Sequence, residues 1–163
     1  MLCFRENFMF NHILVPIAPP YLPKTTLMTA AALSVEQCAD LTLVYVSEER
    51  GGFLTPLLSL LPDENRSRLN RFLGDALAIV SEYGATASIR VVRDAPVAKA
   101  IKTVADKIGA DAIFVGTHQR NPAGSASNAA ITKALLTETS VPVLVIHESP
   151  VSHVRPVANE LAS

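Results

Sequence analysis

Short β-branched runs alternate along the chain with longer stretches in which apolar residues recur every three or four positions. This alternation is typical of parallel β-strands joined by crossover helices, because a parallel pair needs a long connection between its strands. Several runs are almost continuously apolar, as expected where helices cover both faces of a sheet. The sequence therefore predicts an α/β domain built on a five-stranded parallel sheet. The predicted strands are residues 12–17, 41–46, 86–92, 112–116 and 142–147.

Four stretches between these runs have a helical period. The first stripe is predicted to be Leu27, Ala31, Ser34, Val35 and Cys38, and the other stripes lie within 69–80, 97–108 and 131–135. Gly84 and Gly109 follow the second and third helices, where a left-handed residue commonly ends a helix. Asp63 is a candidate N-cap of the second helix.

The composition narrows the class of protein. A length of 163 residues fits one domain, and 49% hydrophobic against 18% charged residues is enough to form a core. The net charge of -1 gives no basic field, so nucleic acid is not expected as the main partner. No apolar run reaches the length of a membrane span, and no membrane partner is predicted.

The predicted localisation is cytoplasmic. The first ten residues lack the features of a secretory signal. Cys3 and Cys38 are too few for a disulfide framework, which fits a reducing compartment.

Three segments are predicted: an N-terminal arm at 1–10, the domain at 11–148 and a C-terminal tail at 149–163. Residues 47–62 interrupt the helix and strand pattern with glycines and prolines and are predicted to form a long loop. The apolar cluster at 53–61 is expected to pack either on the domain or on a partner chain.

Open α/β sheets bind ligands at the carboxyl ends of their strands, where the strand order reverses. For five strands in the order 3-2-1-4-5, this switch point lies between the first and fourth strands. The loops that follow Ile17 and Val115 are therefore the candidate ligand loops.

The segments HILVPI, ADLTLVYV, GADAIFVGTHQ and VPVLVIH together resemble the universal stress protein A family, over about residues 11–148. The resemblance implies a Rossmann-like (adenine nucleotide alpha hydrolase-like) fold, a homodimer and a role in stress response without firm catalytic chemistry. Some members of that family bind ATP and others do not.

The members that bind ATP share an Asp just after the first strand and a loop of the form G-x2-G-x9-G-[S/T]. Here the Asp position is Ala18, and the loop positions are Gly116, Gln119, Ala129 and Ala130. Only the first glycine is retained, and a Cβ restricts the backbone and crowds a phosphate. We therefore expect the usual ATP site to be impaired, and no cofactor is assigned.

The same loop offers another way to hold an anion, by backbone amides and hydroxyls at a helix N-terminus. The simpler alternative is that Ser125 or Ser127 caps the fourth helix and that Arg120 is solvated. If a nucleotide such as ATP binds, the candidate residues are Gly116, Thr117, His118, Arg120, Gly124, Ser125, Ser127 and Asn128.

No catalytic or metal site is predicted. The four histidines do not have the spacing of a zinc site, and His118 lacks a neighbouring nucleophile or orienting carboxylate in the sequence. His12 and His147, at strand ends, are interpreted as structural. Neither a P-loop nor a dinucleotide fingerprint occurs.

The last strand is expected at the edge of the sheet, and its apolar run Val143, Leu144, Val145 and Ile146 would then be free to pair with another chain. The leading hypothesis is a non-enzymatic stress protein that works as a homodimer through this strand. One alternative is an ATP-binding, slowly hydrolysing switch that uses loop 116–128. Another is a small-molecule sensor with residues 51–61 as an apolar lid.

Overall fold

The computed structural model describes residues 9–47, 64–93, 96–118 and 126–148. Five strands alternate with four helices in these ranges. In chain order they are β1 (His12–Ile17), α1 (Lys24–Gln37), β2 (Asp40–Ser47), α2 (Glu64–Glu82), β3 (Ser88–Arg93), α3 (Val97–Ile108), β4 (Ala112–His118), α4 (Ala126–Glu138) and β5 (Val143–Glu148).

The five strands form one parallel sheet in the order β3-β2-β1-β4-β5, as predicted. The register places His12 opposite Asp40 and Ile13 opposite Ala112. The strand order reverses between β1 and β4, so the carboxyl ends of these two strands define the switch point.

Each face of the sheet has its own apolar core. Alternate residues such as Ile13 and Phe114 pack beneath α1 and α2, whereas Leu14 and Ile113 pack beneath α3 and α4. All four of these side chains are fully buried. Because helices cover both faces of the sheet, side chains on both faces of the central strands are buried, and these strands do not alternate between apolar and polar residues.

The helix ends follow the predicted glycine pattern in two places. Gly84 and Gly109 both have positive φ, at 74° and 64°, just after α2 and α3. The C-cap of α1 is instead Cys38, with φ 49°.

The buried stripe of α1 is Thr26, Leu27, Ala30, Ala31 and Ser34. The predicted members Val35 and Cys38 are exposed, because the helix turns them away from the sheet. Cys38 is disulfide-bonded. A single disulfide is not a disulfide framework, and the cytoplasmic location stays a prediction.

Long-range contacts hold the entry into β1. The Asp111 carboxylate accepts hydrogen bonds from the backbone N–H groups of Asn11, at 2.7 Å, and His12, at 3.1 Å. The Gln37 side-chain oxygen accepts one from the N–H of Met9 at 2.8 Å. Phe10 also packs edge-on against Phe114, with ring centroids 6.0 Å apart. These contacts tie the start of β1 to the start of β4 and to the end of α1.

β5 is an edge strand, since it pairs only with β4 in the described part of the chain. Val145 is 48% exposed on this strand, while Val143, Leu144 and Ile146 are half-buried. This confirms the predicted edge position. The dimer predicted from it stays a prediction.

Several sequence predictions lie outside the described residues. These are the cap at Asp63, the apolar cluster at 53–61, the arm up to residue 8 and the tail from residue 149. No helix in the described ranges is both long and apolar enough to cross a membrane.

Candidate functional site

The candidate site is the carboxyl edge of the sheet at the switch point between β1 and β4. The chain leaves β1 through a short turn into α1, and it leaves β4 towards α4. These helices pack on opposite faces of the sheet, the arrangement in which open α/β folds have a crevice between the two strand ends.

A tight, uncharged turn follows β1. Ala18 and Tyr21 form an isolated antiparallel bridge around Pro19 and Pro20, and all four residues are exposed. The peptide bond between the two prolines is cis. The turn offers no carboxylate at Ala18, the position at which the ATP-binding pattern has Asp.

The N-terminus of α1 is held by an acidic residue from the far end of the chain. Glu148, the last residue of β5, accepts hydrogen bonds from the N–H of Thr25 at 2.9 Å and of Thr26 at 2.8 Å. The Thr26 hydroxyl donates a third hydrogen bond, at 2.6 Å, to Oε1 of the same carboxylate. Thr26 is fully buried and Glu148 is 8% exposed. The first turn of α1 contains no acidic residue, and its N-cap Pro23 has no side-chain acceptor.

Gly116 lies directly against this cluster. A Cβ built on it would be 2.7 Å from Thr26 Oγ1, 2.9 Å from Pro23 Cβ and 3.0 Å from Glu148 Oε1. Real Cβ atoms essentially never approach other atoms to less than 3.0 Å, as the first two of these distances would require. The close packing between β4, β5 and α1 is therefore sufficient to require glycine here, whether or not a phosphate binds.

The other predicted site residues of β4 are only partly described. Thr117 is half-buried, and its hydroxyl lies 3.4 Å from the Ile146 carbonyl, to which it donates a hydrogen bond. The backbone of His118 ends β4 and lies opposite Glu148 in the register. Arg120, Gly124 and Ser125 lie outside the described residues. Their role in anion binding stays a prediction.

The start of α4 corrects one sequence prediction. Ser127 and Asn128 were expected just before the fourth helix, but α4 already begins at Ala126. Ser127 is thus in the first turn and is not the N-cap. Ala129 and Ala130, at the third glycine and hydroxyl positions of the ATP pattern, are exposed residues of the helix. Because helical backbone does not require glycine, alanine is compatible with the local structure at both positions.

A shallow polar groove lies at the opposite edge of the sheet, with a volume of about 400 Å³. Its polar lining includes His12, Asp40, Thr42 and Arg90, and His12 Nε2 lies 2.8 Å from Thr42 Oγ1. This hydrogen bond supports the structural interpretation of His12. The groove adjoins the amino ends of β1–β3, whereas open α/β sheets bind ligands at the carboxyl ends. In the described ranges, no three His, Cys, Asp or Glu side chains are grouped as metal ligands.

Sequence reasoning missed the Glu148–Thr26 cluster. The two residues are 122 positions apart, and neither forms a recognisable motif. One signal was available: a carboxylate directly after an apolar strand lies at the carboxyl edge of the sheet. No sequence feature near Glu148 indicated that its side chain would be buried against α1.

Comparison with known proteins agrees with the fold. The model of the universal stress protein family matches residues 9–147. The structure of universal stress protein UspA from Lactobacillus plantarum is similar with a TM-score of 0.70 and 21% identity, and the match covers 86% of this chain and 99% of that one. A universal stress protein family member from Burkholderia pseudomallei has a TM-score of 0.63 and 28% identity, over 85% and 96% of the two chains.

A third similar structure is the universal stress protein from Archaeoglobus fulgidus in complex with dAMP. Its TM-score is 0.64 and its identity 19%, over 85% of this chain and 99% of that one. No curated protein matches the chain at a significant level.

Proposed function

Because the chain belongs to the universal stress protein family, we propose that it is a non-enzymatic stress-response module whose switch-point edge does not hold ATP in the family's usual pose. The observation that carries the proposal is the turn after β1. Ala18 stands where the ATP-binding pattern has Asp, and the turn is closed by two prolines and an Ala18–Tyr21 bridge. A nucleotide there would have no carboxylate to accept a hydrogen bond.

Two further features concern the loop pattern that the ATP-binding members share. The retained Gly116 is needed for packing against Thr26 and Glu148, so it does not by itself argue for a phosphate. Ala129 and Ala130 replace a glycine and a hydroxyl in the first turns of α4. Each replacement removes either close backbone approach or a hydrogen-bond donor to a phosphate.

The second candidate is an ATP-binding switch that uses loop 116–128 in another pose. One observation favours it: the similar protein from Archaeoglobus fulgidus was solved with dAMP. In this chain the nucleotide would rely on Arg120, Ser125 and the N–H groups at the start of α4.

The proposed working form is a homodimer that pairs through β5. The edge strand is apolar along Val143, Leu144, Val145 and Ile146, and Val145 is 48% exposed. A two-fold partner would cover both the unpaired backbone groups and the apolar side chains. The cytoplasm is the proposed location, and other proteins are the proposed partners.

Isothermal calorimetry with ATP and magnesium tests the proposal on nucleotide-stripped protein. No heat of binding is expected up to millimolar ATP. The matched control is the variant A18D/Q119G/A129G/A130S, which restores the four missing positions of the pattern and is expected to gain binding. A micromolar dissociation constant for the unmodified chain would instead support the switch.

A further inference from the structure

β3 is the other edge of the sheet, and in the described part of the chain no strand pairs with its outer side. A strand at a sheet edge turns alternate backbone N–H and C=O groups outward, where another extended chain can bond to them. Within β3 only Ile89 and Val92 are half-buried, one in each core. The other side chains are exposed, and Val91 is exposed to 45%. This edge therefore presents both backbone groups and side chains to a partner.

The exposed side chains of β3 carry positive charge. The strand contains Arg90 and Arg93 and no acidic residue. Neither guanidinium forms an ion pair with a described residue, and Asp40 lines the same groove as Arg90 without pairing with it. The opposite edge strand, β5, contains no arginine or lysine and begins with an apolar run. The two edges of the sheet therefore differ in charge and suit different partners.

The arginines disfavour pairing of β3 with the same strand of a second copy. In an antiparallel pair centred on Val91 and Val92, Arg90 of each copy would face Arg93 of the other. Like charges directly opposite each other in a strand pair are destabilising, whereas opposite charges stabilise it. An acidic strand in the same place would turn each repulsion into an attraction. The edge thus discriminates between partners both by repulsion and by attraction.

We propose that β3 is a docking edge for an extended acidic segment of another protein, which adds to the sheet as an additional strand. Backbone hydrogen bonds to β3 supply affinity, and Arg90 and Arg93 select carboxylates. The two arginines are separated by two residues, so they lie on opposite faces of the sheet. The matching segment has two acidic residues at the same spacing, with apolar residues between them. This inference goes beyond the proposed function, because it concerns β3 and depends neither on ATP nor on pairing through β5.

The test uses the blocked peptide TEVVET. Its glutamates have the spacing of the two arginines, and its sequence reads the same in both directions, so it fits parallel and antiparallel pairing. The peptide is titrated into the nitrogen-15-labelled full chain, and the backbone amide signals of the whole domain are followed. We expect saturable shifts centred on β3 at millimolar peptide. The peptide TKVVKT, which has the opposite charge, should bind at least about tenfold more weakly.

Charge reversal in the protein should exchange the two preferences. R90E/R93E should bind TEVVET at least about tenfold more weakly than the unmodified chain and should bind TKVVKT at least about tenfold more tightly. Both arginines are exposed, so the substitutions remove no core contact. The control K133E reverses an exposed cation on α4, which contacts β4 and β5 and not β3, and should leave both affinities unchanged. If R90E/R93E does not fold, R90Q/R93Q should lose the discrimination between the two peptides.

The proposal is overturned if both peptides bind the unmodified chain with equal affinity, or if the shifts are centred outside β3. The absence of any shift would also overturn it, as would an equal response to free glutamate, which would indicate ion pairing without strand addition. Shifts of the β3 amides that depend on protein concentration in the absence of peptide would assign this edge to a second copy instead. None of these results depends on the ATP titration, so failure of the proposed function can be told apart from failure of this inference.

Discussion

Replacing Gly116 with alanine should destabilise the domain, because three atoms already occupy the space of its Cβ. The shortest of the three separations, 2.7 Å to Thr26 Oγ1, lies well inside the 3.4 Å at which ordinary van der Waals contact begins. Thr26 is fully buried, and moving its hydroxyl would break the 2.6 Å hydrogen bond to Glu148. Pro23 Cβ, at 2.9 Å, belongs to a rigid ring.

Overpacking of this kind costs about 1–3 kcal/mol. For a domain of this size, each kcal/mol lowers the melting temperature by about 2–4 °C. Urea unfolding followed by circular dichroism gives the free energy of unfolding directly. The matched control is G74A in α2, where a Cβ meets nothing within 4 Å. G74A should gain about 0.5–1 kcal/mol from the better helix propensity of alanine. The reasoning is refuted if G116A is as stable as the unmodified protein.

Three other perturbations test separate parts of the structure by similar means. D111A removes the acceptor of the Asn11 and His12 N–H groups, which water can partly replace, and should cost about 0.5–1.5 kcal/mol in urea unfolding; an unchanged midpoint would mean that these contacts do not hold β1. F114A removes a fully buried ring and should cost about 3–5 kcal/mol, whereas a cost below about 1 kcal/mol would contradict its place in the core. V145K places a charge on the exposed edge of β5 and should convert a dimer into a monomer, as measured by light scattering; an unchanged mass would argue against pairing through β5.

The sheet could be predicted from the sequence because its central strands are buried on both faces. Apolar runs such as ILV in β1 and IFV in β4 are typical of such strands in a chain with this helical spacing. The edge strand β3 was less well defined. It was expected at residues 86–92 and is observed at Ser88–Arg93, since its polar side chains weaken the pattern.

The switch point of the sheet was predictable from the sequence, whereas the contacts around it were not. The fold rule places the candidate site at the switch point, and the sequence shows the loss of Asp at Ala18. The hydrogen bonds of Glu148 to α1 arise only when β5 joins the sheet beside β4, across 122 residues of chain. The start of α4 at Ala126 was also missed, because serine and asparagine favour helix caps as much as first turns.

We propose above all that the switch-point edge does not hold ATP in the family's usual pose. Titration of nitrogen-15-labelled protein with ATP and magnesium tests it most directly, because the amides of Ala18, Gly116 and Thr117 report on the edge itself. The account predicts no saturable shift at these residues up to millimolar ATP. Saturable shifts at micromolar ATP, centred on these amides, would contradict it.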